Sequence, residues 1–215
     1  YISIDDINPI EINGKLKIFH YEHGIILHFN ESKFTGKNAN LIIEDNYNTR
    51  VIPMNRIDKC TLSTSALNPI IFSNINNISI YYETNPEIVI NHPISGQVAI
   101  PGQKFNYIDR KLNLSIIGAH NSFLDTTFIW IKNNFLPEPK DGNFISDPIF
   151  LGPKLLPLNE KIKIEFKIPS NIDHHLLSIY YFDEKMKIWN YMESEYDTVN
   201  NIISTSTFTG ETFAV

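Results

Sequence analysis

Alanine is scarce in this sequence, whose 215 residues include five alanines against 36 isoleucines. Alanine is the best helix former, whereas isoleucine is stiff at its branched β-carbon and packs well on strands. No segment shows an amphipathic helical repeat of any length. The composition therefore argues against a helical protein and favours strands, although an AT-rich genome would produce part of the same bias.

Cysteine is nearly absent, since Cys60 stands alone. One cysteine can form neither an internal disulfide nor a thiolate metal cage, so neither of these stabilises the fold. Cys60 lies in the segment Lys59–Leu62, whose pattern is typical of a strand. We therefore expect a buried, inert thiol at this position.

Positive charge is also in short supply. Eighteen lysines and arginines face 24 aspartates and glutamates, which gives a formal net charge of −6. A duplex-binding surface normally needs clustered Lys and Arg, so we expect no nucleic acid partner. No apolar run approaches the roughly 18 residues of a membrane-spanning helix, so we expect no transmembrane segment.

What the sequence does contain is alternation of polar and apolar residues. From Lys161 to Ile168 every second residue is apolar, which on a strand places Ile162, Ile164 and Phe166 on one buried face. On a helix the same order would spread the isoleucines around the whole circumference. The pattern recurs to the C-terminus, so we predict an all-β protein built from antiparallel sheets.

Strand candidates follow one another at short intervals in both halves of the chain. A polar, proline-containing break at Glu83–Ile88 separates the halves and predicts two antiparallel β-sandwich domains in tandem. The first is an immunoglobulin-like sandwich over residues 1–85, and the second spans residues 86–215. The stretch Asn133–Pro157 carries five prolines and is predicted to be a surface connection. The predicted core residues are Ile26, Phe29, Leu41 and Ile43 in the first domain and Ile129, Ile164, Phe166, Ile179 and Trp189 in the second.

Two histidine motifs raise the question of a metal site. His20, His23 and His28 lie close together, but the order around His23 is not the helical His-Glu-x-x-His of zinc peptidases. If this segment is extended, His20 and His28 share a strand face and His23 points away. The adjacent histidines at the end of Ser170–His175 precede a strand and predict a solvated turn. We therefore predict no metal site. The alternatives are zinc at the first cluster and zinc picked up adventitiously by Asp173, His174 and His175 on an exposed loop.

Patterns for catalysis are missing as well. The sequence has no Gly-x-Ser-x-Gly elbow and no glycine-rich loop before a helix, and it has no complete calcium loop of alternating Asp and Asn. Carboxylate pairs such as Asp5-Asp6 are typical of solvated turns. We therefore predict no catalytic residue and no cofactor-binding residue in this chain.

Aromatic side chains crowd a predicted hairpin near residues 176–192. Trp189 and Tyr191 share a strand face there, and an exposed pair of rings would suit a glycan or a peptide, which makes them possible ligand-binding aromatics. The competing interpretation is core packing against a second sheet. We favour core packing for Trp189.

Several segments of the second half occur in a recognisable order. They are Val98–Ile100, the strand Asn113–Ile117, the segment Asn121–Ile131 with its Thr-Thr-Phe-Ile-Trp-Ile, and the closing stretch Ile188–Val215. In this order they resemble the β-sandwich domain of netrin receptors and ankyrins, with a departure at Thr209–Glu211. The resemblance implies the same fold for residues 86–215.

The turn Tyr21–Gly24 reads aromatic-x-His-Gly. Together with the two strand-rich halves, it makes the whole chain similar to the non-catalytic region of Bacteroidetes-type envelope proteins related to lysostaphin-type zinc peptidases. The resemblance implies an extracytoplasmic location, periplasmic or at the cell surface. The zinc ligands of those peptidases, His-x-x-x-Asp and His-x-His, match no histidine of this chain, so no catalytic residue is implied.

These observations lead to one functional expectation and two alternatives. We expect a secreted, non-catalytic module that spaces, docks or regulates a neighbouring domain or an envelope protein. One alternative is an accessory fragment of a cell-wall zinc peptidase whose catalytic domain lies outside this chain. The other is a carbohydrate-binding module that uses Trp189 and Tyr191.

Overall fold

The computed structural model describes residues 10–12, 16–21, 24–31, 36–82, 85–92, 94–134, 136–137, 139 and 143–215. These residues form β-strands and two short 3-10 turns, Pro69–Phe72 and His174–Leu176. Among them, no helix has the length and the apolar character needed to cross a bilayer. Every strand pairing with a determined register is antiparallel, so the prediction of an all-β protein of antiparallel sheets is confirmed.

The chain divides into two compact units, residues 1–98 and 99–215. The first unit contains one eight-stranded sheet with the strand order β1-β2-β3-β6-β5-β4-β7-β8. The tandem of two sandwiches stays a prediction, because the described strands of this unit form one continuous hydrogen-bonded sheet. Its strands are β1 (Ile10–Ile12), β2 (Leu16–Tyr21), β3 (Gly24–Asn30), β4 (Ala39–Asp45), β5 (Thr49–Arg56), β6 (Thr61–Ser63), β7 (Ile75–Tyr82) and β8 (Asn85–His92).

The second half of the chain forms a five-stranded sheet and a six-stranded sheet. Their strand orders are β10-β11-β14-β18-β17 and β16-β15-β19-β13-β12-β9. The strands are β9 (Ser95–Ala99), β10 (Phe105–Asp109), β11 (Leu114–Gly118), β12 (Thr127–Asn133), β13 (Ile149–Gly152), β14 (Ile162–Lys167), β15 (Ile179–Asp183), β16 (Ile188–Met192), β17 (Glu195–Asp197), β18 (Ile202–Thr207) and β19 (Thr212–Ala214).

Both sheets of the second unit contribute to one hydrophobic core. Ile116 and Ile164 come from the five-stranded sheet, and Ile131, Leu151 and Phe213 come from the six-stranded sheet. All of these side chains are buried. Two sheets that share a core in this way fit a β-sandwich.

The alternation in β14 has the predicted consequence. Ile162, Ile164 and Phe166 are buried, whereas Lys163 and Glu165 are half-buried on the other face and form an ion pair at 2.9 Å. The strand lies between β11 and β18 in the five-stranded sheet. Its apolar face therefore points to the core while its polar face remains in contact with water.

The observed division of the chain lies further along the sequence than the predicted break at Glu83–Ile88. The strand β7 ends at Tyr82, and the chain pairs back onto it as β8, the last strand of the first sheet. Pro86 is the second residue of β8. A proline is tolerated there because β8 is an edge strand, so it does not mark the end of the sheet.

Two predictions from the sequence are wrong here, one about a core residue and one about a connection. Ile26 is half-buried because its neighbours in β3, Ile25 and Leu27, face the core. The stretch Asn133–Pro157 is not simply a surface connection, because it contains the buried strand β13 between β12 and β19. Pro148 and Pro153, which flank β13, hid this strand in the sequence.

A buried carboxylate joins three strand ends in the first unit. The Glu31 side chain, just after β3, is almost fully buried and pairs with Arg56 at the end of β5, with Nη1 and Oε2 2.5 Å apart. Tyr82, at the end of β7, donates its hydroxyl to the other oxygen of Glu31. The guanidinium also donates to the carbonyl oxygen of Lys37. A buried charge needs such partners, because an unpaired one is strongly disfavoured.

Candidate functional site

The hairpin of β15 and β16 carries the candidate site, and its turn is well fixed. Asp183 Oδ1 accepts hydrogen bonds from the backbone N–H groups of Lys185 and Met186, at 2.8 and 2.9 Å. The hydrogen bond from the Met186 N–H is the main reason why the pKa of Asp183 lies below its usual value. Lys187 adopts a left-handed conformation and donates its N–H to the carbonyl oxygen of Asp183. The predicted hairpin is therefore confirmed.

The register of this hairpin gathers four aromatic side chains on one face. Tyr180 lies directly opposite Tyr191, and Phe182 lies directly opposite Trp189. Directly paired residues point to the same side of a sheet, and so do residues two apart on one strand. The core uses the other side, because Ile179 of β15 is in the core cluster. The four rings therefore occupy the outer face of the six-stranded sheet, and we call them the aromatic surface.

Exposure within the aromatic surface is greatest at the pair Tyr180 and Tyr191. Phe182 on β15 is 5% exposed, whereas Tyr180 is 39% exposed and Tyr191, on the edge strand β16, is 61% exposed. The rings of Tyr180 and Tyr191 meet edge to face, with centroids 6.1 Å apart and planes at 78°. Together the two tyrosines form an open corner.

Trp189 is held at the inner side of this corner. Its Nε1–H donates to the carbonyl oxygen of Pro137 at 3.2 Å, and its ring packs against Phe144 and Phe182 with centroids 5.0 and 5.2 Å away. The side chain is half-buried and lies outside the core. The prediction that Trp189 is a core residue is wrong, because its strand parity turns it away from Ile179. Tyr191 is the more available of the two predicted ligand-binding aromatics.

The same outer face continues inwards as a buried aromatic layer. Trp130 and Phe150 lie on β12 and β13 with centroids 5.3 Å apart, and both are buried. Asn134, in the connection after β12, donates its side-chain amide to Thr212 Oγ1 of β19 on this face. The outer face is therefore buried near the middle of the sheet, whereas Tyr180 and Tyr191 are exposed at the β15–β16 hairpin.

The structure separates two of the three histidines in the first motif. His20 pairs with Ile25 across the hairpin of β2 and β3, so both face the core side, whereas His28 lies on the opposite side of the sheet. The prediction that His20 and His28 share a face is wrong, because the chain turns between them. They are on opposite faces and do not converge on one ion. His23 lies outside the described residues.

The two separated histidines differ in their surroundings. The Nε2 atom of His20 is buried without a hydrogen-bond partner among the described residues, and burial lowers the pKa of this histidine to about 4. Burial also lowers the pKa of His28, and Lys17, directly opposite on β2, lowers it further. Low basicity of this kind keeps the imidazole neutral at neutral pH.

The second histidine motif is a compact cluster. Asp173, His174 and His175 each offer a ligand atom, and these atoms lie within 4.8 Å of one another. Asp173 and His175 are exposed, and His174 is half-buried. The prediction of a turn is confirmed, because these residues form and cap a 3-10 turn before β15. Adjacent histidines signalled the cluster in the sequence, but their spacing did not reveal that the carboxylate joins them.

Cys60 is exposed, so the prediction of a buried thiol is wrong. It stands in the turn that leads into β6, where its backbone N–H donates to Asp58 Oδ1 at 2.8 Å. The pattern of Lys59–Leu62 suggested a strand that includes Cys60, whereas β6 begins at Thr61. One residue of difference moves the side chain from the core to solvent.

Comparisons with known proteins add no family. A scan against family models gives no match, and a search of curated proteins finds none either. The geometry of the chain itself therefore carries the functional argument.

Proposed function

We propose that this chain is a non-catalytic binding module that docks a partner polypeptide at the aromatic surface of β15 and β16. The observation that carries the proposal is the exposure of Tyr191 and Tyr180 at the edge of a sheet whose inner aromatic residues are buried. Exposed tyrosines combine a large apolar area with a polar hydroxyl, and such residues are enriched where proteins bind one another. The partner is then a neighbouring domain or an envelope protein.

The position of β16 supports a partner in extended conformation. In the part of the chain that the structure describes, β16 has β15 as its only strand partner. An edge strand offers unpaired backbone N–H and C=O groups, and an added peptide strand can pair with them. The tyrosine corner would then receive the side chains that face it.

Carbohydrate binding is the second candidate, and the geometry favours it less. A sugar ring stacks on a flat aromatic face, whereas the planes of Tyr180 and Tyr191 stand at 78° to each other. Trp189 is flanked by Phe144 and Phe182, and its indole N–H is already bonded to Pro137. A corner with a recessed tryptophan suits a protruding side chain better than a sugar face.

Location and context are the parts of the proposal that rest on the resemblance alone. That resemblance supports a secreted, extracytoplasmic module that spaces or regulates a neighbouring domain. It also supports the variant in which the chain assists a cell-wall zinc peptidase whose catalytic domain lies elsewhere. Both variants use the same aromatic surface as the point of docking.

The test uses Tyr191→Ala, with Tyr47→Ala as its control. Both tyrosines are strongly exposed, so both variants should fold, and Tyr47 lies in the first unit far from β16 in sequence. Peptides that bind the wild-type chain are selected from a random phage-displayed library. Their affinity for each protein is then measured by biolayer interferometry. We expect Tyr191→Ala to weaken binding at least about tenfold, because the substitution removes a central aromatic contact. Tyr47→Ala should bind like wild type.

A glycan array is run in parallel with the three proteins. Glycan binding that disappears in Tyr191→Ala would show that the partner is a carbohydrate and not a polypeptide. If neither peptides nor glycans bind, or if both tyrosine variants bind equally well, the aromatic surface is not a docking site.

A further inference from the structure

The cluster before β15 is held on a rigid turn. Asp173 Oδ1 accepts the backbone N–H of His175 at 3.0 Å, which caps the 3-10 turn. The backbone N–H of Leu177 then donates to the carbonyl oxygen of His174 at 3.2 Å. On either side of the cluster, Ile172 and Leu177 pack against the core of the second unit. The turn is therefore anchored at both ends.

One imidazole of the cluster is oriented by a stacked ring. His174 lies on Tyr196 with centroids 4.8 Å apart and planes only 8° apart. Tyr196 packs against the core and donates its hydroxyl to Asn201 Oδ1 at 3.2 Å. The ring of His175 lies beside that of His174, with centroids 4.0 Å apart. The two imidazoles are thus side by side, one fixed by Tyr196 and the other exposed.

We propose that Asp173, His174 and His175 form a surface site for Zn²⁺. The three ligand atoms lie within 4.8 Å of one another, and tetrahedral zinc needs them about 3.3 Å apart, given bonds of about 2.0 Å. The exposed side chains of Asp173 and His175 can make this small adjustment, while His174 stays stacked. Asp173 has a second carboxylate oxygen for the metal, since Oδ1 serves the turn.

The donor set selects the class of cation. Two imidazole nitrogens and one carboxylate oxygen suit borderline divalent ions such as Zn²⁺, whereas Mg²⁺ and Ca²⁺ require mostly oxygen ligands. Three protein ligands leave a tetrahedral ion with one open position, which water or a partner side chain completes. The site belongs to the loop between β14 and β15 and uses none of the residues of the aromatic surface.

Zinc binding to the full chain is measured by isothermal titration calorimetry with ZnCl₂, and MgCl₂ serves as the comparison cation. We expect one zinc ion per chain and no heat of binding with magnesium. His175→Ala should weaken zinc binding at least about tenfold, and the double variant His174→Ala/His175→Ala should abolish it. The control His120→Ala removes an exposed histidine on another loop and should bind zinc like wild type.

Asp173→Asn separates ligation from folding. Its amide oxygen can still accept a hydrogen bond from the N–H of His175, so the turn is retained while the anionic ligand is lost. Zinc should therefore bind more weakly. The near-UV circular dichroism spectrum should be unchanged. Absence of zinc binding to wild type overturns the proposal. So does an equal loss in His120→Ala, or wild-type affinity in both His175→Ala and Asp173→Asn.

Discussion

His20 is an ionisable side chain on the core side of a sheet. It follows Leu16 and Ile18 on the buried face of β2, and its Nε2 has no hydrogen-bond partner within the described ranges. Burial disfavours the charged imidazolium, and this is why the pKa falls from 6.5 to about 4. The neutral ring can keep its Nε2 atom buried, but the protonated ring cannot do so without a free-energy cost.

The pKa of His20 predicts how stability depends on pH. Between pH 6.5 and 4 the unfolded chain binds a proton at this position that the folded chain does not, so the stability falls as the pH falls through this window. From pH 6.5 to 4.5 the contribution is at most about 2–3 kcal/mol. His20→Phe should remove that part of the pH dependence, as urea unfolding at both pH values will measure.

The matched control for this prediction is His120→Gln, which changes an exposed histidine. This control should keep the wild-type pH dependence of the free energy of unfolding. If His20→Phe and wild type lose the same stability between pH 6.5 and 4.5, burial does not keep His20 neutral.

Residue-level predictions from the sequence were limited by strand phase. The alternation in Lys161–Ile168 is long enough to fix the phase, and its buried residues were predicted correctly. For Cys60 and Trp189 the neighbouring pattern was short, and burial depends on the strand boundary or on the pairing partner. A single sequence does not contain the cross-strand register that assigns Trp189 to the outer face.

At the scale of elements, the contact between β12 and β13 depends on a glycine. Gly152 lies directly opposite Trp130, and a Cβ atom at position 152 would overlap the indole ring. The backbone of Gly152 does not have a positive φ, so space rather than conformation requires glycine here. The absent side chain leaves room for the large indole ring against the neighbouring strand.

Gly152→Ala should therefore destabilise the protein by about 2–3 kcal/mol, as expected for an overpacked site. Trp130→Phe removes part of the indole and leaves room for the new methyl group. In the double variant the loss should be smaller than the sum of the single losses by about 1 kcal/mol or more, measured by urea unfolding.

A control for this cycle pairs Gly152→Ala with Phe105→Leu. Phe105 is buried in the core from the five-stranded sheet, so the two losses should add. Additive losses in the cycle with Trp130→Phe would show that the indole is not what restricts position 152.

Strands were predictable where alternation was clear and hidden where it was not. β13 is a short, fully buried run between prolines, so it has no alternation, and its surroundings resemble a loop. β5 is exposed on one face and mostly half-buried on the other, and it contains Pro53, which also obscures a strand. Pro53 lies opposite Asn40 of β4, while β6 pairs only with Asn55 and Arg56. Tertiary context, which a sequence does not display, decides such strands.

For the whole molecule, the sheet topology shows where the chain can be divided. β8 ends the first sheet at His92, and β9, from Ser95, is the edge strand of the six-stranded sheet. A unit with its own core is expected to fold by itself. The position of this division was not evident from composition, because the proline that suggested an earlier break lies within an edge strand.

A fragment of residues 94–215 should therefore fold cooperatively, with a near-UV circular dichroism spectrum and a sigmoidal urea transition. A fragment of residues 101–215 lacks β9, including the buried side chains of Val98 and Ala99, and should unfold at lower urea concentration. A longer fragment without cooperative unfolding, or two fragments of equal stability, would contradict this division.

The placement of the indole rings has an optical consequence. The sequence contains two tryptophans, Trp130 and Trp189, and both lie in the second unit. One ring is buried, and the other is half-buried with its N–H bonded to Pro137. Light that excites only indole therefore reports on the second unit, and the first unit contributes only tyrosine emission. The intact, unlabelled chain carries a spectroscopic probe that distinguishes the unfolding of one unit from that of the other.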